Sequence, residues 1–194
     1  MKATIINSIF LAGLFLGCSQ SQTVSDGPAF ADLPPSAVRT PYPGNESLVK
    51  VHVLDINDKI IAEGDYLNGQ KEGSWTEYYP TGVVKMVTSY VKGKKQGPQV
   101  IVDENGQVTE KAYFFDGQLH GTYVKYNRKN IKEERAYQFG KLNGMLRLYH
   151  DNGNLMEESP YENGVREGIA KWYNTDGEVT IEYLYRNGEW IKDE

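Results

Sequence analysis

Apolar positions recur at a fixed interval along the last two thirds of the chain. An aliphatic column reads Ile60, Val84, Val108, Ile131, Leu155 and Val179. Six residues after each comes an aromatic column, Tyr66, Tyr90, Phe114, Tyr137, Tyr161 and Tyr185. A third column, Leu54, Tyr78, Val102, Tyr126, Tyr149 and Tyr173, precedes the aromatic one by twelve residues in most repeats. None of the three contains a charged side chain. In an extended strand an even spacing sends the aliphatic and aromatic side chains to one face. One repeat buries too little to stand alone, but a series of them makes the stripe continuous.

Glycines punctuate the columns. The unit Tyr-x-x-Gly-x-x-x-Gly occurs at Tyr66–Gly73, Tyr90–Gly97, Tyr137–Gly144 and Tyr161–Gly168, and with Phe for Tyr at Phe114–Gly121. A sixth copy begins at Tyr185 and keeps Gly188. The first glycines fall at 69, 93, 117, 140, 164 and 188, a period of 24 residues with one step of 23. A further glycine, in Thr81-Gly82, Asn105-Gly106, Asn152-Gly153 and Asp176-Gly177, marks a hairpin turn that needs a positive φ. In the middle repeat the equivalent turn, Asn127-Arg128-Lys129-Asn130, is one residue shorter and has no glycine. Asn130 is expected to take the left-handed conformation there. Leu48–Leu54 opens the array with period-2 apolar alternation, a strand signal. The expected fold is all-β, an elongated array of tandem β-hairpins in a single twisted antiparallel sheet or open solenoid. Eleven or twelve short strands at about 4.8 Å each would make it about 55 Å long. The tyrosines and glycines hold that fold, so specificity is expected in the variable positions between them.

The chain has a different character before residue 48. Ile5 to Leu16 is an apolar stretch behind Lys2, too short to span a membrane and suited to a secretory signal. It runs into Leu14-Phe15-Leu16-Gly17-Cys18-Ser19, which resembles the lipobox of bacterial lipoproteins. That resemblance implies a signal peptide over 1–17 and a lipid on Cys18, the one cysteine in the chain. Ser19, where Asp would mark inner-membrane retention, implies the outer membrane of the bacterial cell envelope. Residues 18–47 hold five of the eight prolines and read as a disordered spacer. Such a spacer reaches roughly 30 Å as a coil and about 90 Å as polyproline II. Phe30, Leu33 and Tyr42 could instead form a docking segment within it. The repeat domain is expected over 48–194, its edges protected by the spacer and by Lys192-Asp193-Glu194.

The columns Gly73-x-Trp75-x-x-Tyr78-Tyr79-x-x-Gly82 and Tyr161-x-x-Gly164-x-x-x-Gly168 resemble the variant form of MORN repeats, over about residues 54–190. The resemblance implies a β-hairpin scaffold for protein or membrane contact. Bacterial members often carry an antitoxin-like label, which implies a second role, neutralising a partner.

Charge and chemistry narrow the function further. The formal net charge of −5 becomes −6 without Lys2, which argues against nucleic acid as a partner and against adhesion to anionic lipid except through Cys18. His52, His120 and His150 lack metal-ligand spacing. Asn174-Thr175-Asp176-Gly177-Glu178 lacks the acidic first position of a calcium loop. No Gly-x-Ser-x-Gly elbow occurs, and Gly93–Gly97 lacks the Gly-Lys-Ser/Thr of a phosphate loop. The column Glu110, Glu133, Glu157 reads as solvated edge positions. A non-catalytic protein without cofactor is expected, binding another envelope protein. Aromatics outside the core columns, led by Trp75, Tyr79, Tyr123 and Trp172, alternate with those columns and should occupy the opposite face. There they either seal a second buried face or form a platform for peptide, carbohydrate or peptidoglycan.

Overall fold

The computed structural model describes residues 30–192. These form one antiparallel sheet of sixteen strands. The first half comprises β1 (Ala37–Tyr42), β2 (Asn45–Leu54), β3 (Ile60–Leu67), β4 (Gln70–Tyr78), β5 (Val84–Val91), β6 (Lys94–Val102), β7 (Val108–Phe115) and the two-residue β8 (Gln118–Leu119). The second comprises β9 (Gly121–Asn127), β10 (Asn130–Gln138), β11 (Lys141–Tyr149), β12 (Leu155–Glu162), the two-residue β13 (Val165–Arg166), β14 (Gly168–Tyr173), β15 (Val179–Arg186) and β16 (Glu189–Ile191). Successive strands pair in order, except that the short β8 and β13 pair only with β7 and β12, which go on to pair β9 and β14; the sheet does not close on itself. The expectation of an all-β array of tandem hairpins is met.

The two ends of each hairpin turn differently. At one end an X-Gly pair makes a two-residue turn with both residues at positive φ, as in Asn68 (+51°) and Gly69 (+76°) or Asn163 (+52°) and Gly164 (+95°). Both central residues at positive φ match the right-handed twist of the flanking strands. At the other end a longer turn is organised by a side chain. Asp103 Oδ1 accepts from the N–H groups of Asn105 and Gln107, and Asn174 Oδ1 does the same for Asp176 and Glu178. In the shortened middle turn the left-handed residue is Arg128 at φ +57°, not Asn130. Deleting one residue leaves a two-residue loop, which moves the positive φ to its first position.

A β-bulge beside each longer turn overturns the assignment of faces. Glu77 pairs with Met86 but Tyr78 pairs with Val84, so Lys85 is the extra residue. The same slip falls at Thr109, Met156 and Thr180. An extra residue shifts side-chain parity. The aliphatic column therefore lies with Tyr78 and its equivalents on an outer face, and the aromatic column lies alone on the core face. Trp75, paired with Thr88, joins Tyr66 and Tyr90 on that core face.

The core face is sealed by a column that polarity does not reveal. Running across the strands it reads Val51, Gly64, Trp75, Thr88, Gln99, Ala112, Tyr123, Arg135, Leu146, Ser159 and Ala170. Large side chains stand beside small ones. Trp75, 5% exposed, fills the space over Gly64, where a Cβ would lie 2.2 Å from Trp75 Cε3. Gln99 is buried and donates to Thr88 Oγ1 at 2.8 Å.

Residues 30–47, expected in the spacer, are folded. β1 pairs with β2 along its whole length, so the sheet begins eleven residues before Leu48. Phe30, Leu33 and Ala37 pack on the cluster Val49, Val51, Val53, Tyr66 and Trp75. Phe30 stacks on Tyr66 at 5.5 Å, and the Tyr66 hydroxyl donates to Asp32 at 3.0 Å. Phe30 and Leu33, but not Tyr42, thus dock as the alternative reading of this segment has it, onto the chain's own core. This caps one end of the array, which a repeat stack requires. The signal-peptide and Cys18 readings lie outside the described residues.

Candidate binding surfaces

The loop between paired glycines is a joint between hairpins. From Gly93 onward the N–H of each first glycine donates to the carbonyl two residues past the first glycine of the preceding tip. Gly93 bonds Lys71 (2.9 Å), Gly117 bonds Lys95 (2.9 Å), Gly140 bonds Leu119 (2.8 Å), Gly164 bonds Leu142 (2.8 Å) and Gly188 bonds Arg166 (3.0 Å). The next side chain along completes the stitch. Glu72 accepts from Lys92 N–H, Gln96 from Asp116 N–H, Asn143 from Asn163 N–H and Glu167 from Asn187 N–H, at 2.7–3.1 Å. These turn N–H groups would otherwise have only water. Two of the three variable positions between the glycines are therefore structural, against the expectation that they carry specificity.

The same residues supply cations to the core face. Lys71 Nζ sits 4.5 Å over the Trp75 ring and 5.3 Å from Tyr90, and Lys95 sits 4.6 Å over Phe114. Arg166 lies among Tyr161, Trp172 and Tyr185, at 5.3–5.8 Å from each ring. It also donates to Glu157 Oε1 at 2.6 Å, and Ser159 donates to the same oxygen at 2.7 Å. Glu133 is held by Arg135. The column Glu110, Glu133, Glu157 is thus not a solvated edge. It lies on the core face, where Glu157 is buried and both Glu133 and Glu157 are neutralised by guanidinium groups.

The residues singled out for binding take mainly internal roles. Trp75 meets Tyr66 edge-on at 5.7 Å. Tyr123 meets Tyr137 edge-on at 6.4 Å, with Arg135 5.8 Å above it. Burial pushes the Tyr123 phenol up to about 12, with Glu110 adding to the rise. Tyr79 donates to Val102 O at 3.0 Å, tying one long turn to the next repeat, as His150 does to Tyr173 O. Trp172 stacks with Tyr183 at 5.8 Å, and Tyr183 with Trp190 at 4.9 Å. Of that stack Tyr183 and Trp190 are exposed. The expectation that Trp75, Tyr123 and Trp172 oppose the aromatic column fails because the bulges reverse the parity on which it rests. Cys18 lies outside the described residues.

The outer face carries its own ladder. Tyr78 donates to Glu63 (2.5 Å), Tyr149 to Glu134 (2.7 Å) and Tyr173 to Glu158 (2.8 Å), each across a separation of 15 residues. Burial, then the hydrogen bond to the carboxylate, pushes Tyr149 and Tyr173 up to about 12. The middle repeat breaks this ladder. There Lys111 stands where Glu63, Glu134 and Glu158 stand opposite the other tyrosines, with its Nζ 5.6 Å from the Tyr126 ring. Beside it the shortened turn leaves a cleft of about 580 Å³ lined by Gln107, Asn127, Arg128, Lys129, Asn130 and Asp151. An adjoining hollow of about 400 Å³ has Val108, Lys111 and Tyr126 in its wall.

Among the described residues no group of three or more His, Cys, Asp or Glu is placed to hold a metal ion, and no helix is long and apolar enough to cross a membrane. No curated protein matches the chain. The MORN repeat variant matches it at residues 71–92, 142–163 and 166–187. These spans fall on the hairpins β4–β5, β11–β12 and β14–β15, each running from one glycine tip to the next. Three of the hairpins thus match the MORN repeat variant, all away from the shortened middle repeat.

Proposed function

We propose that the chain is a non-catalytic binding scaffold, held at a bacterial membrane by a lipid on Cys18, whose partner is another envelope protein. The observation that carries the reading is the continuous stitched sheet. It presents side chains at a fixed spacing along a surface far longer than a single hairpin, the geometry that repeat arrays use for extended partners. Cys18 precedes Phe30, the first residue of the cap, by twelve positions. The array would then start within about 40 Å of the lipid. The test is cross-linking in intact cells, followed by membrane fractionation. A protein partner should be retained after glycan digestion, and Cys18→Ser should move the chain out of the membrane fraction. A chain that stays in the membrane fraction without Cys18, or that retains no protein, refutes the proposal.

A second reading, binding of carbohydrate or peptidoglycan, rests on the run Trp172, Tyr183, Trp190, of which Tyr183 and Trp190 are exposed. Retention on purified peptidoglycan that is lost in Trp190→Ala would favour it over the protein scaffold.

A further inference from the structure

The middle repeat departs from its neighbours twice, and both departures meet at one place. The turn is shorter by a residue, which opens the cleft between the turns at Asp103–Gln107 and His150–Asn154. The outer-face position filled by Glu63, Glu134 and Glu158 in other repeats is Lys111. Neither change follows from the needs of the fold, since the other repeats keep the longer turn and every other outer tyrosine of this column is paired with glutamate.

The result is a cationic hollow on an anionic protein. Arg128 and Lys129 are exposed and, among the described residues, make no hydrogen bond or ion pair. Lys111 has only the Tyr126 ring beneath it. Of the nearby carboxylates, Asp151 is held by Lys132, whose hydrogen bond keeps its carboxyl below the usual range. Asp103 is occupied by the N–H groups of Asn105 and Gln107. Three cations are therefore left for a ligand. Val108 and the Tyr126 ring add an apolar wall, and Gln107 and Asn127 supply amide groups. A site with unpaired cations over an apolar wall matches a chain that alternates carboxylates with an aliphatic side chain.

We propose that this cleft docks an acidic segment of a protein partner, its carboxylates on Lys111, Arg128 and Lys129 and an aliphatic side chain against Val108 and Tyr126. The assignment rests on the scaffold reading above and names where on the array the partner is held. Charge complementarity sets the occupant, and screening by salt should weaken the contact.

The test uses the full chain in detergent micelles and a fluorescein-labelled peptide of repeated Glu-Leu-Glu triplets, followed by anisotropy. Lys111→Glu restores the residue that stands opposite every other outer tyrosine of the column and so keeps the fold, which circular dichroism checks. It should weaken the peptide at least about tenfold, because one attraction becomes a repulsion. Arg128→Ala should weaken it by a smaller factor, and a glycine inserted after Lys129, closing the turn to the length of the others, should abolish it. Equal binding to the wild type and to Lys111→Glu overturns the proposal, as does equal binding of a Lys-Leu-Lys peptide. Displacement by millimolar inorganic phosphate overturns the peptide assignment and leaves an anion site. The same variants in the cross-linking experiment separate the two readings. A partner retained equally by Lys111→Glu sinks the cleft but not the scaffold. No retained protein, with the peptide effects intact, sinks the scaffold but not the cleft.

Discussion

Replacing Gly64 by alanine adds one methyl group and should cost more than most deletions in this protein. Gly64 has no positive φ, so a side chain is compatible with its backbone. On backbone grounds alone the change would stabilise by about 0.4–1 kcal/mol, through the unfolded chain. The added Cβ, however, would sit 2.2 Å from Trp75 Cε3 and 3.0 Å from Cδ2 and Cζ3. The indole cannot swing aside freely. Tyr66 meets it edge-on at 5.7 Å on one side and Lys71 covers it at 4.5 Å. Overpacking of a filled core typically costs about 1–3 kcal/mol, so the net effect should be a loss of about 1–2 kcal/mol. Urea unfolding followed by far-ultraviolet circular dichroism measures it. The mechanism is tested by Trp75→Val, which removes the ring and makes room. In the double variant the added methyl should become neutral or favourable, giving a coupling of about 1–3 kcal/mol. Because contacts in a repeat array are local, hydrogen exchange should quicken in β2–β4 and leave β12–β15 unchanged. A Gly64→Ala protein as stable as the parent, or a double variant whose losses simply add, would refute the packing argument.

The stitches between tips predict local effects. Glu167→Ala removes the acceptor for Asn187 N–H at 2.7 Å and should cost about 0.5–1.5 kcal/mol, with faster exchange of that amide. Asn143→Ala should do the same for Asn163. Alkaline pH should weaken the fold. Tyr149 and Tyr173 are raised to about 12 against about 10 in an unfolded chain. The folded state therefore holds protons that the unfolded state has lost. Their contribution is complete below pH 10 and disappears as the pH climbs through 12. Tyr149→Phe with Tyr173→Phe should flatten that part of the pH profile, and an ultraviolet titration should show two fewer late-ionising phenols than in the parent, Tyr123 remaining among them. Phe30→Ala should destabilise by about 3–4 kcal/mol or free residues 30–36 from the sheet. Faster proteolysis of that segment, with a red shift of Trp75 emission, would report it.

The period is legible in the sequence because the turns favour glycine at their most positive φ, and those sites repeat with the hairpins. The faces were not legible, because one bulge residue per hairpin is invisible to a count of spacings. The column that seals the core was hidden for a different reason. From Gly64 through Trp75, Thr88, Gln99 and Ala112 to Tyr123 it shows neither constant polarity nor constant size. What stays constant is the volume shared between neighbours on adjacent strands, and that can be summed only once the register is known. The cap was masked by its surroundings. Phe30 and Leu33 lie among prolines whose average composition reads as spacer, although these two apolar side chains and Asp32 are enough to cover Tyr66 and reach its hydroxyl.

Where specificity can reside follows from what the fold has already committed. Of the three positions between paired glycines, the second puts its cation or aliphatic group on the core face, as Lys71 and Arg166 do, and gives its carbonyl to the next tip. The third gives its side chain to that tip, as Glu72 and Glu167 do. The core-face column is fixed by volume, and most of the outer tyrosines are fixed by glutamate. What remains free without loss of the stack is the outer-face position opposite the tyrosine and the length of the far turn. Lys111 and the turn at Arg128–Lys129 are the places where this chain uses both freedoms at once. A search for function in repeats of this kind should therefore begin from the repeat that fits its neighbours least.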